Sequence, residues 1–303
     1  MTMDATIETS PTAPEAGATP AAGSARLVNH LLILAAVLAV WELSSRMGWV
    51  DALILPAPSA IVASFWQIAF VDRLIWWHFA VTLYESLVGF AIGSAIGIGL
   101  AIAAALSEPF RRYSAPYIVG LQVTSRIALA PIVIAWLGFG TLPNIGIAAL
   151  LCFFPPFLNT LTGLLAVDRD SLEMFRSLQA RKWQVFTQLM LPSALPVIMA
   201  GLKTGMTMAL IGAIVGEFIS ASEGMGVLMQ RFTFALNMSA TFAVLLALTL
   251  MGLLLFAVME WLDNRVVFWR HDARMLEITR RLSAKHGATL GGRAAGGAEP
   301  RAR

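Results

Sequence analysis

Few residues of this 303-residue sequence are equipped for chemistry. The single cysteine, Cys152, lies in an apolar stretch, so neither an intramolecular disulfide nor a cysteine-rich metal site can form. Four histidines (His30, His78, His271 and His286) show no ligand spacing. The phosphate-cradling pattern Gly-x-x-x-x-Gly-Lys-Ser/Thr is absent. What remains is a set of lone charges inside apolar runs (Glu85, Arg126, Lys203 and Glu217) and one dense charged stretch at 168–192. The lone charges do not converge into a nucleophile–base pair or a metal-ligand set, so no catalytic residue and no metal ligand is assigned. The chemistry they suit is attraction, pairing and recognition.

The elements that hold these charges are set by composition. The chain is 58% hydrophobic and only 13% charged, with a mean hydropathy of +0.74. Soluble domains carry roughly 25% charged residues. So much apolar surface cannot be buried inside one soluble domain of this length, and much of it must face lipid. The net charge of +3 does not point to nucleic acid, because nine of the 21 Lys and Arg residues fall after residue 263, in a tail without interleaved aromatics. The first 25 residues, rich in Ala, Thr and Pro, read as a disordered N-terminus without the cationic start of a signal peptide. Residues 26–270 read as the membrane domain and 271–303 as a basic tail.

A bilayer core of about 30 Å takes about 20 apolar residues per helix. Six segments reach that length, at 27–45, 79–106, 116–137, 142–166, 194–219 and 240–262, giving an all-α polytopic protein. The segment 53–70, interrupted early by Pro56 and Pro58, reads as an interfacial or re-entrant helix. With a cytoplasmic N-terminus, sixteen basic residues fall on the inside and three on the outside, so both termini are expected in the cytoplasm. Gly89, Gly93, Gly97, Ala101 and Ala105 recur every four residues, as do Gly201, Gly205, Ala209 and Ala213. Such ladders let helix backbones approach closely in lipid.

The stretch 168–192, DRDSLEMFRSLQARKWQVFTQLMLP, is patterned. Leu172, Phe175 and Leu178 recur at steps of three, and Trp183, Phe186 and Leu189 do so again, which predicts two short amphipathic helices. Ser171 is the expected cap of the first, and Pro192 and Pro196 punctuate the start of the fifth span. Such a pair presents an apolar face to a partner groove.

These residues resemble the "EAA" motif of bacterial ATP-binding-cassette importer permeases. That motif runs Glu-Ala-Ala, three residues, Gly, nine residues, then Ile-x-Leu-Pro. Here the frame is Glu173-Met174-Phe175, three residues, Gln179, nine residues, then Leu189-Met190-Leu191-Pro192. The stretches APIVIAWLGFG (130–140), FFPPFLNTLTGL (153–164), LPSALPVIMAGLK (191–203) and IGAIVGEF (211–218) are similar to the nitrate/sulfonate/taurine branch, and within it to members assigned to pyrimidines or riboflavin. The resemblance implies a MetI-like type I importer permease of the bacterial inner membrane. It implies that two copies form one pathway, fed by a periplasmic binding protein, and that a cytoplasmic ATPase dimer holds ATP and Mg²⁺, leaving no cofactor in this chain. The ATPase-coupling residues implied are Glu173, Met174, Phe175, Gln179, Ala180, Trp183, Leu189, Leu191 and Pro192. Gln179 departs from the motif's glycine. It costs about 1 kcal/mol if the left-handed turn is kept, and a wider turn is the alternative.

The candidate pathway residues are Arg126, Phe153, Pro155, Pro156, Asn159 and Glu217. Arg126 falls at the middle of the third expected span, where an arginine costs at least about 2.5–3.5 kcal/mol. It attracts an anionic or carbonyl-rich substrate, pairs with Glu217 or Glu85, or snorkels to an edge. Glu217 is a gate, a partner of Arg126 or a contact for the delivering protein. Pro155 and Pro156 are expected to interrupt the fourth span beside aromatics that can stack on a flat ring. Lys203 is expected to snorkel. A secondary transporter is the alternative class, but it needs no amphipathic loop pair and often shows inverted repeats, and none is evident.

Overall fold

The computed structural model describes residues 21–268. Every described element is helical. The first helix, α1 (Ala21–Arg46), begins within the segment expected to be disordered, and the basic tail lies outside the described residues. Among the described residues, five helices are long and apolar enough to cross a bilayer: Val28–Arg46 within α1, α3 (Leu74–Leu106), α6 (Thr141–Leu165), the run Lys182–Ser220, and α11 (Met238–Val266).

The expected third span, 116–137, is split. Helix α4 (Glu108–Val123) starts at Ser107, whose side chain accepts from Phe110 N–H, and stops at Thr124, which is extended at φ −67° and ψ 132°. A 3₁₀ turn (Arg126–Leu129) follows, then α5 (Ala130–Leu137) with Pro131 in its first turn. Two local causes act together. Thr124 Oγ1 returns its hydrogen bond to Gly120 O at 2.9 Å, and Pro131 brings no N–H to bond the previous turn, so it suits a helix start rather than a helix interior. Arg126 therefore sits at a break and not at the centre of a continuous span.

The apolar segment after Pro56 forms α2 (Pro58–Trp66) and a π turn (Gln67–Val71), together too short to span. Helix α1 is lashed to this unit at one end. Trp41 Nε1 donates to Pro56 O at 3.1 Å, and Glu42 accepts from Ser59 N–H and Oγ–H at 3.0 and 2.7 Å.

The centre of the fold is α6, clasped between α3 and α9 (Leu191–Ser220). The small-residue ladders make the clasp. A Cβ added at Gly93 would lie 2.5 Å from Ala149 O, and one at Gly97 would lie 2.6 Å from Phe153 O. On the other side, Gly212 meets the Ala148 backbone and Gly205 meets the Pro156 ring. Pro155 and Pro156 do not interrupt α6, which runs through them. The pyrrolidine ring of Pro156 fills the space that Gly205 leaves, and Asn159 Nδ2 donates to Pro155 O at 2.9 Å. The missing N–H groups are tolerated because the segment is packed in protein and not in lipid.

Candidate functional site

The 168–192 segment forms the structured loop joining α6 to α9. Helix α7 (Arg169–Ser177) is capped by Asp168, which accepts from Ser171 N–H at 3.2 Å. Ser171 is thus not the cap. Its hydroxyl adds a second bond to the same Asp168 oxygen. The helix ends in a tight left-handed turn. Ala180 N–H reaches back to Phe175 O at 3.0 Å, and Gln179 N–H to Arg176 O at 2.9 Å. This is the Schellman pattern, with Gln179 in the position usually held by glycine. Gln179 has φ +54°, so the turn keeps the geometry of the motif and is not widened.

The second half departs from expectation. Helix α8 (Lys182–Val185) passes through a π turn (Phe186–Met190) directly into α9. The result is one continuous helix, Lys182–Ser220, of 39 residues. Pro192 and Pro196 do not break it. The π turn wraps one residue more per turn immediately before Pro192 and so accommodates the proline ring and its missing N–H.

The two halves differ in exposure. Met174, Leu178 and Trp183 are 55%, 72% and 66% exposed, and Glu173 and Gln179 are exposed with them. Phe175, Ala180, Leu189, Leu191 and Pro192 are half-buried. Phe186 is buried with Leu164, Ala194 and Ile198, where the loop meets the ends of α6 and α9. Large apolar side chains thus stand in solvent on a rigid turn, and their base is fixed in the core.

Of the candidate pathway residues, Arg126 and Phe153 come together at one cavity and the others lie apart from it. The Arg126 guanidinium lies over the Phe154 ring, 5.2 Å from its centroid, and makes no ion pair with Glu85 or Glu217. A cavity lined by Thr124, Arg126, Leu150, Phe153 and Phe154 opens at this break. Next to it, Phe153 and Phe157 stack with centroids 5.6 Å apart. Pro155 and Asn159 face Gly201, and Pro156 faces Gly205, so these three belong to the α6–α9 seam and not to a cavity. Glu217 is 1% exposed and is likewise sealed within the chain.

Glu217 belongs to a polar cluster at the end of the bundle opposite the loop. Its carboxylate accepts from Thr82 Oγ1–H at 2.5 Å and from Gly226 N–H at 2.6 Å. Asn144 Nδ2 donates to Glu85 Oε1 at 2.9 Å and accepts from Ser220 Oγ–H at 3.0 Å. Helix α10 (Met225–Phe234) is fastened here too, since Gly224 N–H donates to His78 Nδ1 and Met225 N–H to Thr82 Oγ1. His78, Thr82, Asn144 and Ser220 were not singled out from the sequence. The signal was present, because His78, Thr82, Glu85 and Ser86 are polar at helical spacing inside an apolar run. Lys203 does not snorkel into solvent. It pairs with Glu260 and Asp263 on α11 at 2.5 and 2.6 Å.

Comparison with known proteins agrees with this architecture. The formylaminopyrimidine transport permease protein ThiX of Halalkalibacterium halodurans is 34% identical over 82% of this chain and 98% of its own length. The riboflavin transport system permease protein RibX of Chloroflexus aurantiacus is 31% identical over 77% of this chain and 87% of its own. The taurine transport system permease protein TauC of Escherichia coli is 26% identical over 80% of this chain and 89% of its own. An inward-facing structure of the MetNI methionine ABC transporter contains a chain that shares the fold, with a TM-score of 0.58 at 16% identity over 64% of this chain and 98% of that one. Residues 93–268, which hold the loop, α6, α9 and the Asn144, Glu217 and Ser220 part of the polar cluster, match a single family, and the chain belongs to it: the inner membrane component of binding-protein-dependent transport systems.

Proposed function

We propose that the chain acts as the pathway-forming half of an ATP-driven importer, and that the 168–192 loop is where a cytoplasmic ATPase subunit seats. The observation that carries this reading is mechanical. Met174, Leu178 and Trp183 project from a turn pinned by the hydrogen bonds of Ala180 and Gln179, and the turn leads without a break into the 39-residue helix Lys182–Ser220. Exposed apolar anchors fit a groove on a partner. A continuous helix of that length carries a displacement at the loop into the bundle, where the α3–α6–α9 clasp receives it.

Two copies of the chain make one pathway, each engaging one subunit of an ATPase dimer that binds ATP and Mg²⁺. A periplasmic binding protein delivers the substrate at the opposite face. The excess of basic residues in and beyond the loop supports a cytoplasmic loop and cytoplasmic termini, with the chain in a bacterial inner membrane. The cargo is a small anion of the sulfonate, taurine or nitrate kind, or a flat ring compound of the pyrimidine or riboflavin kind. The names of the relatives, and a cavity at the broken helix where Arg126 lies over Phe154 beside Phe153, support these classes.

The test is reconstitution of the chain with its ATPase and binding protein in proteoliposomes. Trp183→Ala and Glu173→Ala are expected to leave the chain folded while ATP hydrolysis no longer drives uptake. Uptake that continues without the ATPase, on a proton or sodium gradient, refutes the proposal.

A further inference from the structure

Two carboxyl groups are sealed in this fold with no cation to meet them. Glu85 is 0% exposed and Glu217 is 1% exposed, and neither forms an ion pair among the described residues. The two side chains share one polar layer across the α3–α9 contact: Thr82, on the turn before Glu85, donates to Glu217, and Asn144, which donates to Glu85, packs against Gly216 beside Glu217. The groups around them are neutral on every side: Thr82 and Ser86 from α3, Asn144 from α6, Ser220 from α9, and the first N–H groups of α10. His78 accepts Gly224 N–H on Nδ1, so that nitrogen carries no proton. The nearest outer charges are engaged elsewhere, Glu223 with Trp77 Nε1 and Arg231 with Ser222 O.

The donors divide unequally between the two acids. Glu217 receives an O–H on one oxygen and an N–H on the other, at 2.5 and 2.6 Å, which is the setting of a carboxylate. Its position at the N-terminus of α10 also favours a negative charge. Glu85 receives one N–H, from Asn144, on Oε1, while its Oε2 meets no N–H or O–H donor in the structure. Two carboxylates sharing one polar layer in a medium this dry repel strongly, and neither has a hydrogen to share with the other.

We propose that Glu85 is held as the acid and donates its Oε2–H to Glu217, which remains the anion that caps α10. A single buried proton thereby joins α3, α9 and α10 and positions α10 at the far end of the bundle. Glu85 and Glu217 are positioning residues in this scheme and touch no substrate.

The scheme predicts an asymmetry between two isosteric changes. A glutamine amide at position 85 keeps both the acceptor for Asn144 and the donor for Glu217. At position 217 the same change replaces a two-acceptor group, fitted to two donors, with one that is itself half donor. With the full chain in nanodiscs, Glu85→Gln is expected to melt with the unaltered protein and to retain uptake once reconstituted with its partners. Glu217→Gln is expected to melt several degrees lower and to lose uptake. Infrared spectra should show a carboxylic-acid C=O band in the unaltered protein that persists in Glu217→Gln and vanishes in Glu85→Gln. Replacing sodium and potassium by choline should leave the melting temperature unchanged. A Glu85→Gln chain that melts as low as Glu217→Gln or fails to fold overturns the proposal. So does an acid band that survives in Glu85→Gln. A melting temperature that drops in choline overturns it in favour of two carboxylates bridged by a metal cation.

Discussion

Gly93→Ala and Gly99→Ala are the same substitution in the same helix, two turns apart, and the structure assigns them opposite signs. Both exchange a poor helix former for the best one, a gain of about 0.8–1 kcal/mol each. At Gly99 nothing lies within 4 Å of the added carbon, so that gain stands alone. At Gly93 the added carbon would sit 2.5 Å from Ala149 O and 3.1 Å from Ala149 Cα. Ordinary contact needs about 0.9 Å more, and the obstacle is main chain, which has no rotamer to change. The α3–α6 backbones must part, and overpacking of this kind costs about 1–3 kcal/mol. The propensity term cancels between the two variants, which should therefore differ by about 1–3 kcal/mol, with Gly93→Ala the less stable. Melting curves of the purified protein in one detergent, followed by tryptophan fluorescence, measure the difference. Ala149→Gly should not rescue Gly93→Ala, because the clash is with an oxygen that every residue carries. Equal melting temperatures, or rescue by Ala149→Gly, would show that α3 and α6 do not meet through their backbones here.

Two further outcomes follow from single positions. Gln179→Gly relieves a left-handed residue, worth about 1 kcal/mol, and gives back part of that gain in the freedom of the unfolded chain. The amides of Gln179 and Ala180 should exchange more slowly with deuterium, while Gln179→Val, β-branched at the same φ of +54°, should speed exchange across 174–182. Lys203→Met leaves Asp263, whose side chain is 12% exposed, without its cation and should cost about 1–3 kcal/mol in melting experiments. Adding Asp263→Asn should recover much of that loss, because the unpaired charge is then gone.

Apolar spacing made the helix pair of the loop legible and the resemblance to the EAA frame located its turn, because an amphipathic helix, a left-handed turn and a helix start are all local events. The frame from Glu173 to Pro192 locates the turn at Gln179, and the structure has it there with φ positive. The clasp was legible for the same reason, since glycines every four residues must line one helix face. The misreadings share a cause. Pro155 and Pro156 are expected to interrupt the fourth span, and Pro192 and Pro196 to mark the start of the fifth, yet a proline breaks a helix only where its clash and missing N–H go unrelieved. Gly205 relieves the first pair by giving the Pro156 ring room, and the π turn at Phe186–Met190 accommodates Pro192. Both remedies depend on tertiary packing or on a local change of pitch that no residue spells out. The split at Thr124–Ser125 went the other way: the run 116–137 is apolar enough to span, but local hydroxyl bonding and Pro131 divide it.

Pairing between charges was the least legible feature, because it depends on depth along helices whose tilt the sequence does not carry. Arg126 and Glu217 were natural partners by sign, but Glu217 lies in the cluster at the α10 end and Arg126 at the broken helix over Phe154. Lys203 finds its acids 57 and 60 residues away, on α11. Once these depths are known, three scattered sites turn out to share one element. The helix Lys182–Ser220 is roughly 58 Å long at 1.5 Å per residue. It holds the exposed Trp183 at one end, the Lys203 bridge to α11 in its middle, and the Glu217 cap of α10 near the other end. Between them Gly201, Gly212 and Gly216 fix it to α6 at backbone distance, and Gly205 seats the Pro156 ring. A helix held so closely along its length loses backbone contacts if it bends locally, so under the proposed docking a push at Trp183 has a route to α6, α10 and α11.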